Sequence, residues 1–185
     1  MLTDRILADG SSRDAWKEAR YSVIGASDAA YLSKPESVHL YLASKLKRDV
    51  FTGNVFTENG YRFEPMILGW AGYEHNTALI HAHDEPGFAA TPDGMSVDHR
   101  TLAEAKTTGK DWNTPPIKYV RQCQWQMHVT GAERCLLVWN LRVPDEHGWF
   151  YLGWIEPKTK WIDRDDAEIA KLVTVADRLL EAVSA

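Results

Sequence analysis

Three charged side chains in the middle of the sequence are the strongest candidates for chemistry. Ten residues lie between Asp93 and Glu104, and Lys106 follows two positions after Glu104. Residues two apart on a β-strand project from the same face, so Glu104 and Lys106 are expected to point the same way. A hairpin turn between Asp93 and Glu104 would bring the two carboxylates together at one end of a sheet.

Two carboxylates that lie side by side repel each other unless a cation lies between them. Oxygen ligands without histidine or thiolate suit Mg²⁺ or Mn²⁺. Such an ion polarises a phosphoryl oxygen and lowers the pKa of bound water. Lys106 beside it could orient or deprotonate that water and offset charge on the phosphate. The alternative is a charged hairpin edge on which Lys106 simply pairs with Glu104.

Arg20 and Ser27 form a second candidate group, which is suited to an anion. Ser27 is predicted at the start of a helix, where unpaired backbone N–H groups and the positive end of the helix dipole favour a phosphate. Arg20 adds a forked, permanently charged partner for phosphate oxygens. The alternative is that Ser27 only caps its helix and that Arg20 is exposed to solvent.

Capping signals and hydrophobic periodicity predict the elements that must position these residues. Helices are predicted from Ser11 or Ser12 through Ala19, from Ser27 through Leu32, from Pro35 through Leu42, over 57–73, from Pro115 to Gly131, and from Asp163 to Val183. Strands are predicted over 77–83, over 94–97 and 102–108 as a hairpin, and over 134–141 and 149–155, with a loop over 49–56. This order predicts one mixed α/β (α+β) domain over residues 1–185, with a central sheet flanked by helices.

Composition excludes several other classes of protein. The 185 residues are 44% hydrophobic and 25% charged, with two cysteines and a formal net charge of −5. Two cysteines cannot form a disulfide framework, a four-cysteine zinc site or an iron–sulfur cluster. The first ten residues do not look like a signal peptide, and no apolar stretch approaches the roughly 18 residues of a membrane helix. We therefore expect a soluble, intracellular protein, and the acidic total argues against a generic basic nucleic-acid coat.

Four segments, in order and spanning residues 14 to about 139, resemble the PD-(D/E)XK nucleases and, within them, the lambda-exonuclease/YqaJ-type viral recombinases. The first is Asp14–Asp28, with its Trp-x-x-x-Arg and Ala-Ser elements, and the second is Gly60–Glu64. The third is Pro92-Asp93-Gly94 followed by Glu104-Ala105-Lys106, and the fourth is Tyr119–Met127, with its Tyr-x-x-Gln-x-Gln-x-x-Met pattern.

The resemblance implies a role for each residue at a matching position. It makes Asp93, Glu104 and the Ala105 carbonyl metal ligands, and it places Lys106 beside the attacking water. The remaining implied positions are Glu64, completing the carboxylate cluster with a possible second ion; Asp84, a further acidic position reached through a shorter loop; Gln122, near the nucleophile or the scissile phosphate; and Arg20, Ser27 and Thr91, which hold a 5′-terminal phosphate. Thr91 stands where the family commonly has serine, which preserves the hydroxyl.

The implied function is a Mg²⁺-dependent exonuclease, with Mn²⁺ as a possible substitute, that acts 5′→3′ on double-stranded DNA ends. It would release 5′-mononucleotides and leave 3′ overhangs for a single-strand annealing protein in phage recombination. The resemblance also implies a ring-shaped homotrimer and a phage- or prophage-encoded protein of the bacterial cytoplasm. The alternatives are a PD-(D/E)XK endonuclease, an exonuclease of other polarity, and a catalytically silent DNA-end-binding module of the same fold.

Other residues with possible functions have simpler explanations. His81 and His83 share a strand face as zinc ligands could, but the sequence has no His-Glu-x-x-His motif and no cysteine partner for them. Trp112 lies in a polar loop after Lys106 and is predicted to contact DNA, whereas the tryptophans at 125, 139, 149 and 154 fall on packing faces. The basic residues Lys45, Lys47 and Arg48 are explained equally well as a solvated helix end.

Overall fold

The computed structural model describes residues 2–31, 35–39, 41–42 and 55–184. In this part of the chain the helices are α1 (Arg13–Tyr21), α2 (Ala26–Tyr31), α3 (Val55–Trp70), α4 (Ile117–Thr130) and α5 (Asp166–Ser184). The strands are β1 (Ile6–Ala8), β2 (Leu79–His81), β3 (Ala89–Ala90), β4 (Gly94–Met95), β5 (Thr101–Thr108), β6 (Arg134–Pro144), β7 (Phe150–Leu152) and β8 (Lys158–Asp163). Short 3-10 helices lie at Leu2–Arg5 and Pro35–Ser37.

The strands form two sheets rather than one. The smaller sheet has the antiparallel order β1-β2-β3. In the larger sheet β5 lies between β4, which is antiparallel to it, and β6, which is parallel to it. The far side of the long strand β6 pairs with β8 over its first half and with β7 near its end, both antiparallel. The parallel pair β5–β6 is joined by a crossover through α4, as parallel strands require.

Helices cover both faces of the larger sheet, and this fixes which way the β5 side chains point. On one face Met127 of α4 packs with Leu102 of β5 in a buried cluster. On the other face Leu68 of α3 packs with Ala103. Because side chains alternate along a strand, even-numbered residues of β5 point towards α4. A third cluster, around the fully buried Trp125, joins α2, α4, α5 and the smaller sheet.

Several helix boundaries follow from the capping residues that the sequence indicates. The Ser12 side chain accepts a hydrogen bond from the Ala15 N–H at the start of α1. Helix α4 ends at Gly131, whose φ of 86° lies in the left-handed region where glycine carries no steric cost. The predicted hairpin is also present, since β4 and β5 pair antiparallel around the turn at 96–100.

Two predicted caps are wrong. Helix α2 begins at Ala26, so Ser27 lies in its first turn instead of capping it, and the Gly25 N–H donates to the Asp28 carboxylate. Asp163 ends β8, and Asp165 accepts the first-turn N–H groups of α5. A sequence pattern does not distinguish a capping residue from a neighbouring residue of similar type. The folded structure decides which of them caps the helix.

The sequence also misses short strands. β1, β3 and β8 were not predicted, and the strand predicted over 77–83 is confined to Leu79–His81. Strands of two or three residues show too little alternation to detect. The longer strand β8 has six residues, but Ile162 is the single buried one, so it shows no alternating pattern either. The basic residues at 45, 47 and 48, and the predicted loop up to residue 54, lie outside the described residues. None of the described helices combines the length and the apolar character needed to cross a membrane.

Candidate active site

The β4–β5 hairpin places Asp93 beside Glu104. Gly94 pairs with Ala103, so the residue before β4 lies next to Glu104. The Asp93 Oδ2 atom accepts a hydrogen bond of 2.8 Å from the Ala105 N–H. Asn76 also stabilises the backbone at Asp93, because its backbone N–H donates to the Asp93 carbonyl at 2.7 Å. The predicted juxtaposition of the two acidic residues is therefore observed, but it lies at the middle of β5 and not at one end of the sheet.

Glu104 is a fully buried carboxylate with three donors. Its Oε1 atom accepts from the Lys106 ammonium and, at 2.5 Å, from Gln122 Nε2. Its Oε2 atom accepts from Gln126 Nε2 at 2.6 Å. Burying a carboxylate is costly unless ionic and hydrogen-bond partners replace water, and these three donors supply that replacement. They also fix the direction in which the carboxylate points.

Glu64 joins the group from α3, on the opposite face of the sheet. Its Oε1 atom lies 2.8 Å from His75 Nε2. The backbone of His75 forms a β-bridge with Gly94, the residue after Asp93. The short segment that carries His75 therefore contacts both the Glu64 side chain and the turn that holds Asp93.

Burial and neighbouring charges raise the pKa values of two carboxylates in this group, Asp93 and Glu64. Burial raises the pKa of Asp93 well above its usual range, and the negative charges of Glu104 and Glu64 raise it further. Burial also raises the pKa of Glu64, against a hydrogen bond from His75 that lowers it. For Lys106, burial acts to lower the pKa, but the charges of Glu104 and Asp93 outweigh it and the pKa is raised. Lys106 is therefore a firmly protonated ammonium among acids.

The chemistry of these donors fits a divalent cation. Asp93, Glu104 and Glu64 are hard oxygen donors whose mutual repulsion one ammonium only partly offsets. In the described part of the chain, however, no three His, Cys, Asp or Glu side chains already converge as ligands of one ion. Glu104 is engaged by Lys106 and two glutamines, and Glu64 is engaged by His75. A bound cation would neutralise part of the negative charge that the Lys106 ammonium neutralises in this structure.

Arg20 and Ser27 form a second polar group. The Arg20 Nη2 atom lies 3.2 Å from the Ser27 hydroxyl and 2.7 Å from an Asp28 carboxylate oxygen. Its Nη1 atom donates to the Val23 carbonyl. A Cβ atom at Gly25 would lie 2.5 Å from the guanidinium carbon, so glycine makes room for Arg20. Arg20 is therefore held in place and is not the freely exposed side chain of the alternative interpretation.

Thr91 approaches the same helix. Its hydroxyl accepts a hydrogen bond of 3.2 Å from the indole N–H of Trp16. Trp16 and Arg20 are four residues apart on α1, so they lie on one face of that helix. Helix α1 thus gathers the two hydroxyls of Ser27 and Thr91 along a single face.

A cleft of about 660 Å³ is lined by members of both groups. Ser27 lines it from α2, Glu64 lines it from α3, and Gln122 lines it from α4. Ala105 and Lys106 line it from β5. One residue predicted to hold a phosphate, Ser27, and two predicted to hold a metal, Glu64 and Ala105, therefore line one cavity that is open to solvent.

Comparison with known proteins identifies the family. The YqaJ-like viral recombinase domain matches residues 15–133, more than half of the chain. The chain belongs to this family. The resemblance that the sequence motifs indicated is confirmed. No curated protein sequence matches the chain.

Solved structures extend the YqaJ-family likeness to the whole fold. An alkaline exonuclease from Laribacter hongkongensis, LHK-Exo, superposes with a TM-score of 0.72 at 25% identity over 92% of each chain. Its complex with dAMP gives a TM-score of 0.71 at the same identity and coverage. A phage-related exonuclease from Haemophilus somnus 129PT gives 0.63 at 13% identity, over 97% of this chain and 90% of that one, which shows the fold alone. The predicted PD-(D/E)XK fold class is confirmed, and the chain shares family and fold with nucleases.

Two residues predicted for the site of this YqaJ-family chain lie elsewhere. The Asp84 side chain is 95% exposed and hydrogen-bonds to His83 Nδ1 at 2.5 Å, so it is placed on a solvated turn. Trp112 is partly buried, with its ring 5.1 Å from that of Tyr119 and 5.8 Å from that of Trp139. It packs against the core at the edge of the sheet instead of standing free in a polar loop.

Sequence reasoning missed two residues that touch the carboxylates. Gln126 lies one helical turn after Gln122, and this spacing is a signal that predicts a shared face. His75 lies between α3 and β2, where no sequence motif marks it. Its contact with Glu64 joins α3 to the β4 turn, and local periodicity carries no information about such a contact.

Proposed function

We propose that this YqaJ-family protein is a metal-dependent exonuclease that acts on double-stranded DNA ends with Mg²⁺, or Mn²⁺ as a substitute. One observation carries the proposal. The β4–β5 hairpin sets Asp93 against Glu104 with Lys106 alongside, and Lys106 lines the cleft that Ser27 also lines. LHK-Exo, which is 25% identical and is named an alkaline exonuclease, supports the same class of reaction.

Asp93, Glu104 and the Ala105 carbonyl would hold the ion, with Glu64 available to a possible second one. A bound ion would polarise a phosphoryl oxygen and lower the pKa of bound water. The Lys106 ammonium, fixed by Glu104, faces the cleft and offsets the negative charge that grows on the phosphate. Gln122 donates to Glu104 and lines the cleft, so it orients that carboxylate beside the reacting groups.

The group of Arg20, Ser27 and Thr91 gives the reaction its direction. A 5′-terminal phosphate held by the guanidinium and the two hydroxyls would leave the next phosphodiester over the acidic cluster. Water then attacks that phosphorus, the bond to the 3′-oxygen breaks, and the 3′-oxygen takes a proton. The products are a 5′-mononucleotide and a strand shortened by one residue from its 5′ end, which leaves a 3′ overhang.

We further propose that the protein acts as a homotrimer in the bacterial cytoplasm and passes the 3′ overhang to a single-strand annealing protein in phage recombination. A ring would reconcile the chain's net charge of −5 with DNA binding, because each copy could turn its cationic cleft inwards.

The test uses duplexes labelled at their 3′ ends and carrying either a 5′-phosphate or a 5′-hydroxyl. With Mg²⁺, we expect the 5′-phosphorylated strand to be shortened faster, with release of mononucleotides, and we expect no digestion in a chelator. Lys106→Ala should slow digestion by about 10²- to 10⁴-fold while the protein stays folded. Nicking of closed circular DNA would support an endonuclease, and full activity of the Lys106→Ala variant would remove Lys106 from the mechanism.

A further inference from the structure

Two cationic side chains line the cleft in addition to Lys106. Lys106 is paired with Glu104, but Lys118 and Arg142 line the same cavity. Among the described residues that line it, Glu64 is the one acid. The chain as a whole is acidic, with a formal net charge of −5. A local excess of cations in a concave surface focuses a positive potential and attracts an extended anion.

Lys118 is held inside the cleft by two tyrosines. Its Nζ atom lies 4.8 Å from the centre of the Tyr119 ring and 5.6 Å from that of Tyr31. The same atom lies 3.4 Å from the Tyr31 hydroxyl. These partners are neutral, and none of the described carboxylates forms an ion pair with Lys118. The amine is therefore positioned in advance and its charge remains available to a ligand.

The place of Lys118 relates it to both groups of the site. Tyr31 lies one turn after Ser27 on α2, so Lys118 lies alongside the helix face that carries Ser27. The Tyr119 ring is close to a second ammonium group as well, since Lys106 Nζ is 5.5 Å from its centre. Lys118 thus contacts the proposed phosphate-binding helix through Tyr31, and it shares the Tyr119 ring with the proposed catalytic lysine.

Arg142 contributes to the cleft from β6. Its Nη1 atom donates to the hydroxyl of Thr107, the residue after Lys106, at 3.3 Å. Its guanidinium carbon lies 5.3 Å from the centre of the Phe150 ring. Burial lowers the pKa of Arg142 by disfavouring its charged form, and an anion beside it would act in the opposite direction. Arg142 therefore adds a cationic side chain to the cleft next to Thr107, the residue that follows Lys106.

We propose that Lys118 and Arg142 bind backbone phosphates of the DNA strand that lies in the cleft, with Tyr31 and Tyr119 as positioning residues for the Lys118 amine. This inference rests on the proposed nuclease function and adds two phosphate contacts to it. A lysine and an arginine that contact phosphates bind without regard to base sequence. Each such contact releases about 0.9 counterion, so it steepens the dependence of affinity on salt.

The experiment measures binding of the full-length protein to a fluorescent 5′-phosphorylated duplex by anisotropy, over a series of NaCl concentrations at constant Mg²⁺. Phosphorothioate linkages at the 5′ ends prevent digestion. The variants are Lys118→Gln and Arg142→Gln, which remove charge at similar length, and Lys118→Arg, which keeps it. Lys171→Gln is the matched control, because Lys171 lies on α5 with a side chain 74% exposed.

We expect the slope of log Kd against log salt to become shallower by about 0.9 in each glutamine variant, and by about twice that in the double variant. Lys118→Arg and the Lys171→Gln control should keep the wild-type slope. Arg142→Lys keeps the charge, so a normal slope in that variant separates phosphate binding from an effect on packing. Unchanged slopes in both glutamine variants would overturn the inference, whereas a wild-type protein that binds no duplex would overturn the proposed function itself.

Discussion

At the scale of single residues, the site is a balance of buried charges. Glu104 is completely buried, and three donors satisfy it. Asp93 has one backbone donor, from Ala105, and a pKa raised by burial and by its acidic neighbours. The less well compensated carboxylate is the one that gains most from a cation. We therefore expect Asp93 to lower the stability of the metal-free protein, as functional groups often do.

This predicts that Asp93→Asn unfolds at a higher temperature than the wild type near neutral pH in a chelator. The folded state holds the Asp93 proton more tightly than the unfolded chain, in which the pKa of an aspartate is near 3.8. The wild-type protein thus loses stability as pH rises from that value through the raised folded pKa, and the variant lacks this loss. Adding Mg²⁺ should raise the unfolding temperature of the wild type and leave that of Asp93→Asn nearly unchanged.

The measurement is calorimetric or dye-monitored thermal unfolding, with and without Mg²⁺. Asp98→Asn is the matched control, since Asp98 lies on the exposed turn of the same hairpin and its pKa is lowered by the Ser96 hydroxyl. A less stable Asp93→Asn protein in the chelator, or an equal Mg²⁺ response in both proteins, would contradict the assignment of Asp93 as a ligand.

At the scale of elements, the turn between α1 and α2 decides where Arg20 lies. Arg20 leaves the end of α1, crosses over Gly25 and reaches Ser27 and Asp28 at the start of α2. The turn itself is anchored to the smaller sheet, because Ile24 forms a β-bridge with Phe88. The close approach of the guanidinium to Gly25 is therefore a property of the turn, and a side chain there would push Arg20 away.

We predict that Gly25→Ala keeps the fold but reduces the preference for 5′-phosphorylated ends. The new methyl group would collide with the end of a flexible side chain, which can move, instead of with backbone. The ratio of digestion rates on 5′-phosphate and 5′-hydroxyl duplexes measures the effect and should fall towards unity. Gly69→Ala on α3 is the control, because a Cβ atom there meets nothing within 4 Å. An unchanged ratio in Gly25→Ala would remove Arg20 from the phosphate site.

At the scale of the whole molecule, charge is distributed unevenly. The lining of the cleft is cationic, while the chain has 26 acidic and 21 basic residues. A single copy would therefore attract DNA at the cleft and repel it over much of its remaining surface. Assembly around the DNA, with clefts inwards, would resolve this conflict.

The homotrimer proposal predicts a solution mass of three times the 21.0 kDa chain. Light scattering coupled to size-exclusion chromatography measures that mass directly. Trimerisation should persist at high salt if apolar contacts hold the ring, since screening weakens only the charged ones. A monomer that digests long duplexes processively would contradict the proposal.

Patterns in the sequence predict the hairpin with Asp93, Glu104 and Lys106, the helix with Gln122, and the resemblance to the family to which the chain belongs. These features depend on neighbours within a few residues, where a two-residue strand period, a four-residue helix spacing and turn residues act directly. The tertiary structure decided the contacts that cross between elements: His75 on Glu64, Trp16 on Thr91, and Arg142 beside Thr107. It also decided that Asp84 is exposed and that Trp112 packs against Tyr119 and Trp139, because burial and partners depend on how helices and sheets pack over long separations in sequence.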